Sequence, residues 1–489
     1  MKRAILNFGI AVALVVPGFA WAVTPGFLTG PCDYPAGHPL PGSGAVLHVP
    51  ADFPTIQAAV DAANEGDEVL IASGAYDNRT QGAGRRDAED GNHLAMVLVP
   101  RTKPGILIRG ESRTGVVLDG TQRNGSGGAV LDAKNLPKSF YDIGVQVEAD
   151  RVVVENLTAH NFTYHGVHWH NITGFWGRYL TTYNLGDYGI FAIGSRCGEI
   201  NDSYASGGAD SGIYIGECFP CDTVIHHIAS ERNALGYSGT NAGGNLVLRD
   251  SIWNDNGMGI VPNSEDGEER PPQRAIIIKN NIIDHNNGKT APGIGIQANF
   301  WGIGIAIAGG QQDVVYGNEI VDNGINGVVL APLPDQNVYI PSSNAIWGNT
   351  ITHNAKTWPN SVDMAQGATS GPNNCWSDNV FGTSEPPLLQ TLWSCDVTAG
   401  TWVTPPGGDP RVELKLVLDV ADGTLRDTNG RRIPAPLADG RTPSPWQTWA
   451  APVCGARLVN GYDVNPCIDQ SASGGAVTSW LPGLGLSAS

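Results

Sequence analysis

The 489-residue chain sets 47 acidic residues against 29 basic ones, a formal net charge of −18, which disfavours a nucleic-acid or anionic-membrane partner. Only 16% of residues are charged and 64 are Gly, a balance unlike that of a helical globule and suited to a chain that turns often. After the N-terminal region no stretch approaches the roughly eighteen consecutive apolar residues of a membrane span.

Lys2 and Arg3, an apolar run from Ala11 to Val16 and the small-x-small pattern Ala20-Trp21-Ala22 mark residues 1–22 as a secretory signal, so the expected protein is exported, extracellular or periplasmic. No Cys follows closely enough to suggest a lipoprotein. Without that segment 27 basic residues oppose 47 acidic ones, a net charge of −20. Residues 23–44 form an N-terminal extension. All eight Cys follow the signal, and an even number in an oxidising compartment predicts disulfides. Cys218-Phe219-Pro220-Cys221 has a redox or metal alternative, but no second Cys or His pair at zinc spacing accompanies it, and a disulfide is expected there too.

From Val49 to Ala63 the apolar residues follow a helical period, with Pro54 and Thr55 at the start, and Gly66 to Ile71 reads as a strand. Such a helix is placed to cover the open apolar end of a stacked structure. The loop from Asn78 to His93, with Arg79, Arg85 and Arg86, is expected to wall one end of a binding face whose other end carries the later insertions.

Between residues 144 and 354 one phrase recurs: a β-rich run ending in Asn, a few polar residues, then Gly followed by Ile or Val. Gly144, Gly166, Gly189, Gly212, Gly236 and Gly259 are spaced by 22, 23, 23, 24 and 23 residues, and Gly304 and Gly327 by 23. Each unit holds short alternating strands that cannot bury their apolar side alone. A unit of this length without a helical period turns back on itself, and stacking equivalent strands at roughly 4.8 Å closes a continuous interior: a parallel β-solenoid. Asn161, Asn184, Asn233, Asn256, Asn286, Asn323 and Asn354 close strand runs, where Asn tolerates left-handed backbone and can bond its neighbour in the next coil. They are read as structural.

In a strand beginning Gly-Ile-x-Ile the two Ile point inward and the residue between them outward. This defines an outer column of His168, Phe191, Tyr214, Ser238, Val261, Ala306 and Val329, polar and aromatic early, apolar late. Two residues before each Gly stand Tyr164, Asp187, Asp210, Ala234 and Gly257, so two carboxylates are predicted to stack on adjacent coils. Like charges that close raise one pKa or call for a cation. Arg232 is expected to complete the row, with His165 and His168 one coil back and Tyr188 and Tyr214 nearby. A plainer reading stands beside this one, in which Asp187 and Asp210 are turn residues held by local hydrogen bonds. His165, His168 and His170 lack a carboxylate or Cys at ligand spacing, which disfavours a dedicated metal site.

The 45 residues from Gly259 to Gly304 are read as one coil with two insertions, residues 262–273 and 288–301, the second carrying Phe300 and Trp301; two ordinary coils are the alternative. Residues 331–342, with Tyr339, add a third insertion on the same face. Trp and Tyr there can stack on sugar rings. Residues 383–489 lose the repeat and are read as a C-terminal cap and tail, with Cys454 and Cys467 closing a local loop and Ser471 to Ser489 too rich in small residues to hold a fold.

The repeats, together with the segment from Val49 to Ile71, resemble the pectin-lyase-like superfamily over residues 45–382. The resemblance implies an all-β, right-handed parallel β-helix with an N-terminal helical cap and an irregular C-terminal extension. It further implies a polysaccharide partner. In that superfamily stacked Asp residues serve hydrolases as acid and base, while in lyases acidic residues hold calcium and an Arg or Lys abstracts the proton beside a uronate carboxyl. The sequence lacks the contiguous motifs of the polygalacturonase family and the Asp-Pro-His-Asp of alginate epimerases. The expected protein is an enzyme cutting a glycosidic bond by hydrolysis or β-elimination. Asp187 and Asp210 are its acid/base pair or calcium ligands, and His168 or Arg232 its base or charge stabiliser. Tyr214, Tyr188, His165 and Trp301 are its sugar contacts. It needs no cofactor, or calcium. The alternatives are a non-catalytic glycan-binding or matrix protein and an epimerase.

Overall fold

Residues one coil apart pair directly. Val145, Val167, Ile190, Ile213, Tyr237, Ile260, Ile305, Val328 and Met364 are consecutive register partners in parallel strands, and each is fully buried. The computed structural model describes Cys32 and residues 35–87, 91–132, 135, 137–288, 292–293, 301–356, 361–367, 370–395, 452 and 454–469. The expected signal, Phe300 and the stretch from Ser471 to Ser489 lie outside the described residues.

Among the described residues the strands form a twelve-stranded sheet, here the front sheet, and a twenty-one-stranded back sheet to which each coil contributes two segments. The front sheet runs from Arg85–Arg86, antiparallel to Leu94–Val99, through Val167–His170, Ile190–Ile193 and Ser211–Gly216 to Val362–Gln366 and Ser384–Glu385. Successive coils stack in parallel throughout, which makes the architecture a right-handed parallel β-helix.

The glycine column has a steric cause. At Gly144, Gly166, Gly189, Gly236, Gly259 and Gly304 an added Cβ would fall 2.4–2.7 Å from the carbonyl oxygen of the equivalent glycine in the next coil. A side chain there would push the coils apart.

The asparagines are structural, with one correction. Asn161 and Asn184 hold left-handed backbone, at φ 62° and 56°. From Asn233 onward the left-handed position belongs to the preceding residue, Arg232, Asp255, His285, Asp322 or His353. The asparagine side chain turns inward instead. Asn233, Asn256, Asn286 and Asn323 each donate backbone N–H to the Oδ1 of the next, at 2.9–3.1 Å, and Asn323 donates to Asn354 at 3.0 Å. The ladder satisfies polar groups that would otherwise be buried unpaired.

Residues Ile56–Ala62 are helical, with the Thr55 side chain accepting from the Ala58 amide as N-cap and Ile56, Ala59 and Val60 fully buried at the end of the coil. At the other end the turn of helix Leu389–Leu392 lies against the last coil, with Leu389 buried and the Trp376 amide donating to the Trp393 carbonyl. Four disulfides join Cys32–Cys197, Cys218–Cys221, Cys375–Cys395 and Cys454–Cys467. No described helix is long and apolar enough to cross a membrane.

Residues 454–469, expected only as a local loop in a tail, dock along the outside of the back sheet. Arg113, 2% exposed, donates to the carbonyls of Leu180, Asp202 and Ile468 and to Thr181 Oγ1, and Arg457 pairs with Glu231. Val459 and Val464 bury against Tyr204, Ala229 and Ile252, and Tyr462 stacks on His227 at 3.7 Å.

The 45-residue gap is one coil: Met258 pairs with Ile303 and Ile260 with Ile305, so the extra residues leave as insertions.

Candidate active site

The front sheet's outer column follows the register His168, Phe191, Tyr214, Ser238, Val261. Gln146 precedes His168 in it. The turns entering these strands carry Asp187 and Asp210. The Asp187 amide donates to the Tyr164 carbonyl at 3.1 Å and the Asp210 amide to the Asp187 carbonyl at 3.2 Å, so the two carboxyls leave consecutive coils from equivalent positions. Both are nearly closed off, at 6% and 5% exposure. Burial, and next the charge of Asp210, hold the Asp187 carboxyl well above the ordinary carboxylate range.

A layer of rings surrounds the pair. His165 stands with Nδ1 3.8 Å from Asp187 Oδ2, 4.6 Å between ring centroids from Phe191, and 5.0 Å from His168. His168 stacks on Phe191 at 4.1 Å, and Tyr188 lies 4.6 Å from Phe191 and 4.7 Å from Tyr214. Tyr164 packs against His165 at 4.0 Å, and His93, from the early loop, stacks on Tyr164 at 4.2 Å. Burial first, then neighbouring imidazoles, keeps His165 and His168 neutral, their pKa values well below the ordinary one. His165 Nδ1, both ring nitrogens of His168 and both amide atoms of Gln146 are buried without a hydrogen-bond partner.

The insertion at 262–273 folds over the far side. Glu268 accepts a hydrogen bond from the Tyr214 hydroxyl, and burial pushes its carboxyl up to about 7. Asp266, in the same loop, accepts from the Asn337 amide at 2.6 Å and the Tyr339 hydroxyl at 2.5 Å, which ties this insertion to the one at 331–342. Tyr214 is 1% exposed beneath them. Tyr164, Tyr188, His93 and His170 remain half-buried and form the accessible rim.

The structure thus brings Asp187, Asp210, His165, His168, Tyr188 and Tyr214 into one cluster. Arg232 does not join it. Its guanidinium donates to Glu231 Oε1 at 2.6 Å and to the Tyr204 hydroxyl at 2.7 Å, on the back sheet, because residue 232 holds a left-handed corner (φ 58°) that turns its side chain away from the front. Trp301 is also elsewhere. It precedes the strand Ile303–Ala308, whose outer residue Ala306 lies three coils beyond Tyr214, roughly 14 Å at the spacing of stacked strands. Glu268, Gln146 and Tyr164 were not among the expected site residues. The acidic 262–273 insertion was visible in the sequence, but which of its side chains returns to the face was not.

Calcium does not fit this donor set. That ion takes six to eight oxygen ligands, whereas rings and imidazoles line the pair and Glu268 is engaged by Tyr214. Among the described residues the one group of three potential ligand atoms within metal distance is Cys32, Cys197 and Asp222, and its two cysteines are disulfide-bonded.

A cavity of about 160 Å³ opens at the opposite ends of the same strands, lined by Asn171, Arg196, Glu217, Phe219 and Arg270 among others.

No protein-family model matches the sequence, and no curated protein matches it. Solved structures similar in fold include the A-module of Azotobacter vinelandii mannuronan C-5 epimerase AlgE4 (16% identity, 72% of this chain and 95% of that one, TM-score 0.45). An alginate lyase from a Paenibacillus species shares 15% identity over 67% of this chain and 95% of its own, with a TM-score of 0.35. A Yersinia enterocolitica family 28 exopolygalacturonase shares 10% over 69% and 76%, with a TM-score of 0.44. At these identities and TM-scores the likeness is one of fold and nothing finer.

Proposed function

We propose that the protein is an exported polysaccharide hydrolase that cleaves a glycosidic bond at Asp187 and Asp210. One observation carries this: two buried carboxyls leave consecutive coils, and the charge of one helps to hold the proton on the other. A pair that keeps one proton offers an acid for the leaving oxygen and a base or nucleophile for the anomeric side. Their separation in the complex decides the stereochemistry, about 5 Å for retention and about 6.5–9.5 Å for inversion. Tyr188 and Tyr164, half-buried beside the pair, supply ring surfaces for sugar stacking. Four disulfides support action outside the cytosol. The elimination and epimerisation readings lose their expected arginine base, since Arg232 is engaged by Glu231 and Tyr204.

The near-closure of the face favours a second reading, glycan binding without turnover. Incubation of the purified protein with a polysaccharide panel separates the two. Hydrolysis predicts new reducing ends without ultraviolet absorbance from unsaturated products. Unsaturated products would replace hydrolysis with elimination, and retention on immobilised glycan without new ends would favour the binding reading.

A further inference from the structure

We propose that the polymer taken by the Asp187–Asp210 face is uncharged, a glycan whose sugars carry hydroxyls but no carboxylate or sulfate, because the face presents acids, imidazoles, phenols and an amide without a guanidinium or ammonium among them. The inference rests on the reading that this face acts on a polysaccharide, and it narrows the substrate class.

The first argument is charge. Around Asp187 the charged neighbour is Asp210; around Tyr188 they are Asp210, Asp187 and Glu268; around Glu268 they are Glu217, Glu265 and Asp210. No guanidinium or ammonium stands among these described neighbours. Arg101 acts on His170, at the rim. A uronate brought close to an ionised carboxylate here meets like charge with no neighbouring cation to offset it. The acidic balance of the whole chain, −18, adds to it at long range. The two guanidiniums of the cavity, Arg196 and Arg270, share it with Glu217. Both line that cavity at the other end of the strand Ile190–Ile193 from Asp187, with Arg270 two residues along the insertion from Glu268.

The second argument is hydrogen-bonding capacity. A neutral imidazole offers one donor and one acceptor, and a carboxamide offers both kinds. His165 beside Asp187, His168 one coil back and Gln146 a further coil back hold such atoms buried without partners. Leaving each unpaired is unfavourable. A carboxylate or sulfate only accepts, so it leaves the acceptor half of this row unmet, whereas a sugar hydroxyl donates and accepts and answers both. The consequence is chemical. Elimination and C5 epimerisation both need an acidic proton next to a uronate carboxyl, and a polymer without that group leaves hydrolysis.

Affinity electrophoresis of the full-length protein tests this, in gels cast with neutral polymers (β-glucan, α-glucan, xylan, mannan) or anionic ones (polygalacturonate, alginate), alongside reducing-end assays on each. Retardation by at least one neutral polymer and by neither anionic polymer is expected, with Tyr188→Ala weakening it about tenfold at an unchanged unfolding midpoint. An anionic polymer that is bound, and hydrolysed at Asp187 and Asp210, would overturn this inference and leave the hydrolase reading standing. A neutral polymer that is bound but never cleaved would do the reverse. Binding of no polymer would overturn both.

Discussion

The backbone amide of Asp210 donates to the carbonyl of Asp187 at 3.2 Å across two neighbouring coils, which fixes the side chains at equivalent corners one coil apart. The first prediction concerns that pairing. Asp210→Asn removes a like charge and lowers the pKa of Asp187, leaving burial as the remaining upward push. Carbon-13 NMR of aspartate-labelled protein reads the shift directly, and an unchanged Asp187 titration would contradict the adjacency.

The second prediction is a pH dependence of stability. Asp313 is fully buried in line with Asn344 and Asn374. Its Oδ1 accepts from the Gln273 side chain and the Ile276 amide, its Oδ2 has no partner, and burial pushes its pKa up to about 7. A raised carboxyl pKa means the native state holds the proton when the unfolded chain has released it. Stability is therefore full below about 4 and falls as pH rises toward about 7; Glu268 contributes in the same direction. Asp313→Asn supplies a permanent donor where Oδ2 now stands. We expect it to raise stability at pH 8 by about 2–4 kcal/mol and to flatten the decline between pH 4 and 7, in urea unfolding at several pH values.

The glycine column gives a third. At Gly189 an added Cβ would lie 2.4 Å from the Gly212 carbonyl oxygen, while nothing lies within 4 Å of one added at Gly267. Gly189→Ala is expected to destabilise by about 1–3 kcal/mol and Gly267→Ala by less than about 0.5 kcal/mol.

The docked 454–469 segment gives a fourth. Arg113→Ala deletes the buried guanidinium that joins Leu180, Asp202 and Thr181 to the Ile468 carbonyl. Loss of this fastener is expected to cost about 3 kcal/mol or more and to open residues 454–469 to limited proteolysis before the coil unfolds.

Much of this was legible because a coil repeats. One period, set by Gly144 to Gly259, placed the outer column and brought Asp187 beside Asp210, since side-chain direction in a strand follows from alternation alone. The corners were less legible. Arg232 lies one residue before Asn233 at a turn, and there the left-handed residue, not the count along the strand, decides which sheet the side chain faces. Glu268 was out of reach for a related reason: an insertion carries no period, so the sequence shows that the loop is acidic but not that one acid returns to Tyr214. The docking of residues 454–469 depends on Arg113, more than three hundred positions away, and nothing local marks that contact.

The account turns on the two stacked aspartates. Asp187→Asn and Asp210→Asn, prepared separately and checked for an unchanged unfolding midpoint, are to be assayed for new reducing ends on the polymer that the unaltered protein cleaves best. A fall of about a hundredfold or more in each variant is predicted. Turnover retained in both would contradict the assignment and leave the carboxyls as corners of the coil.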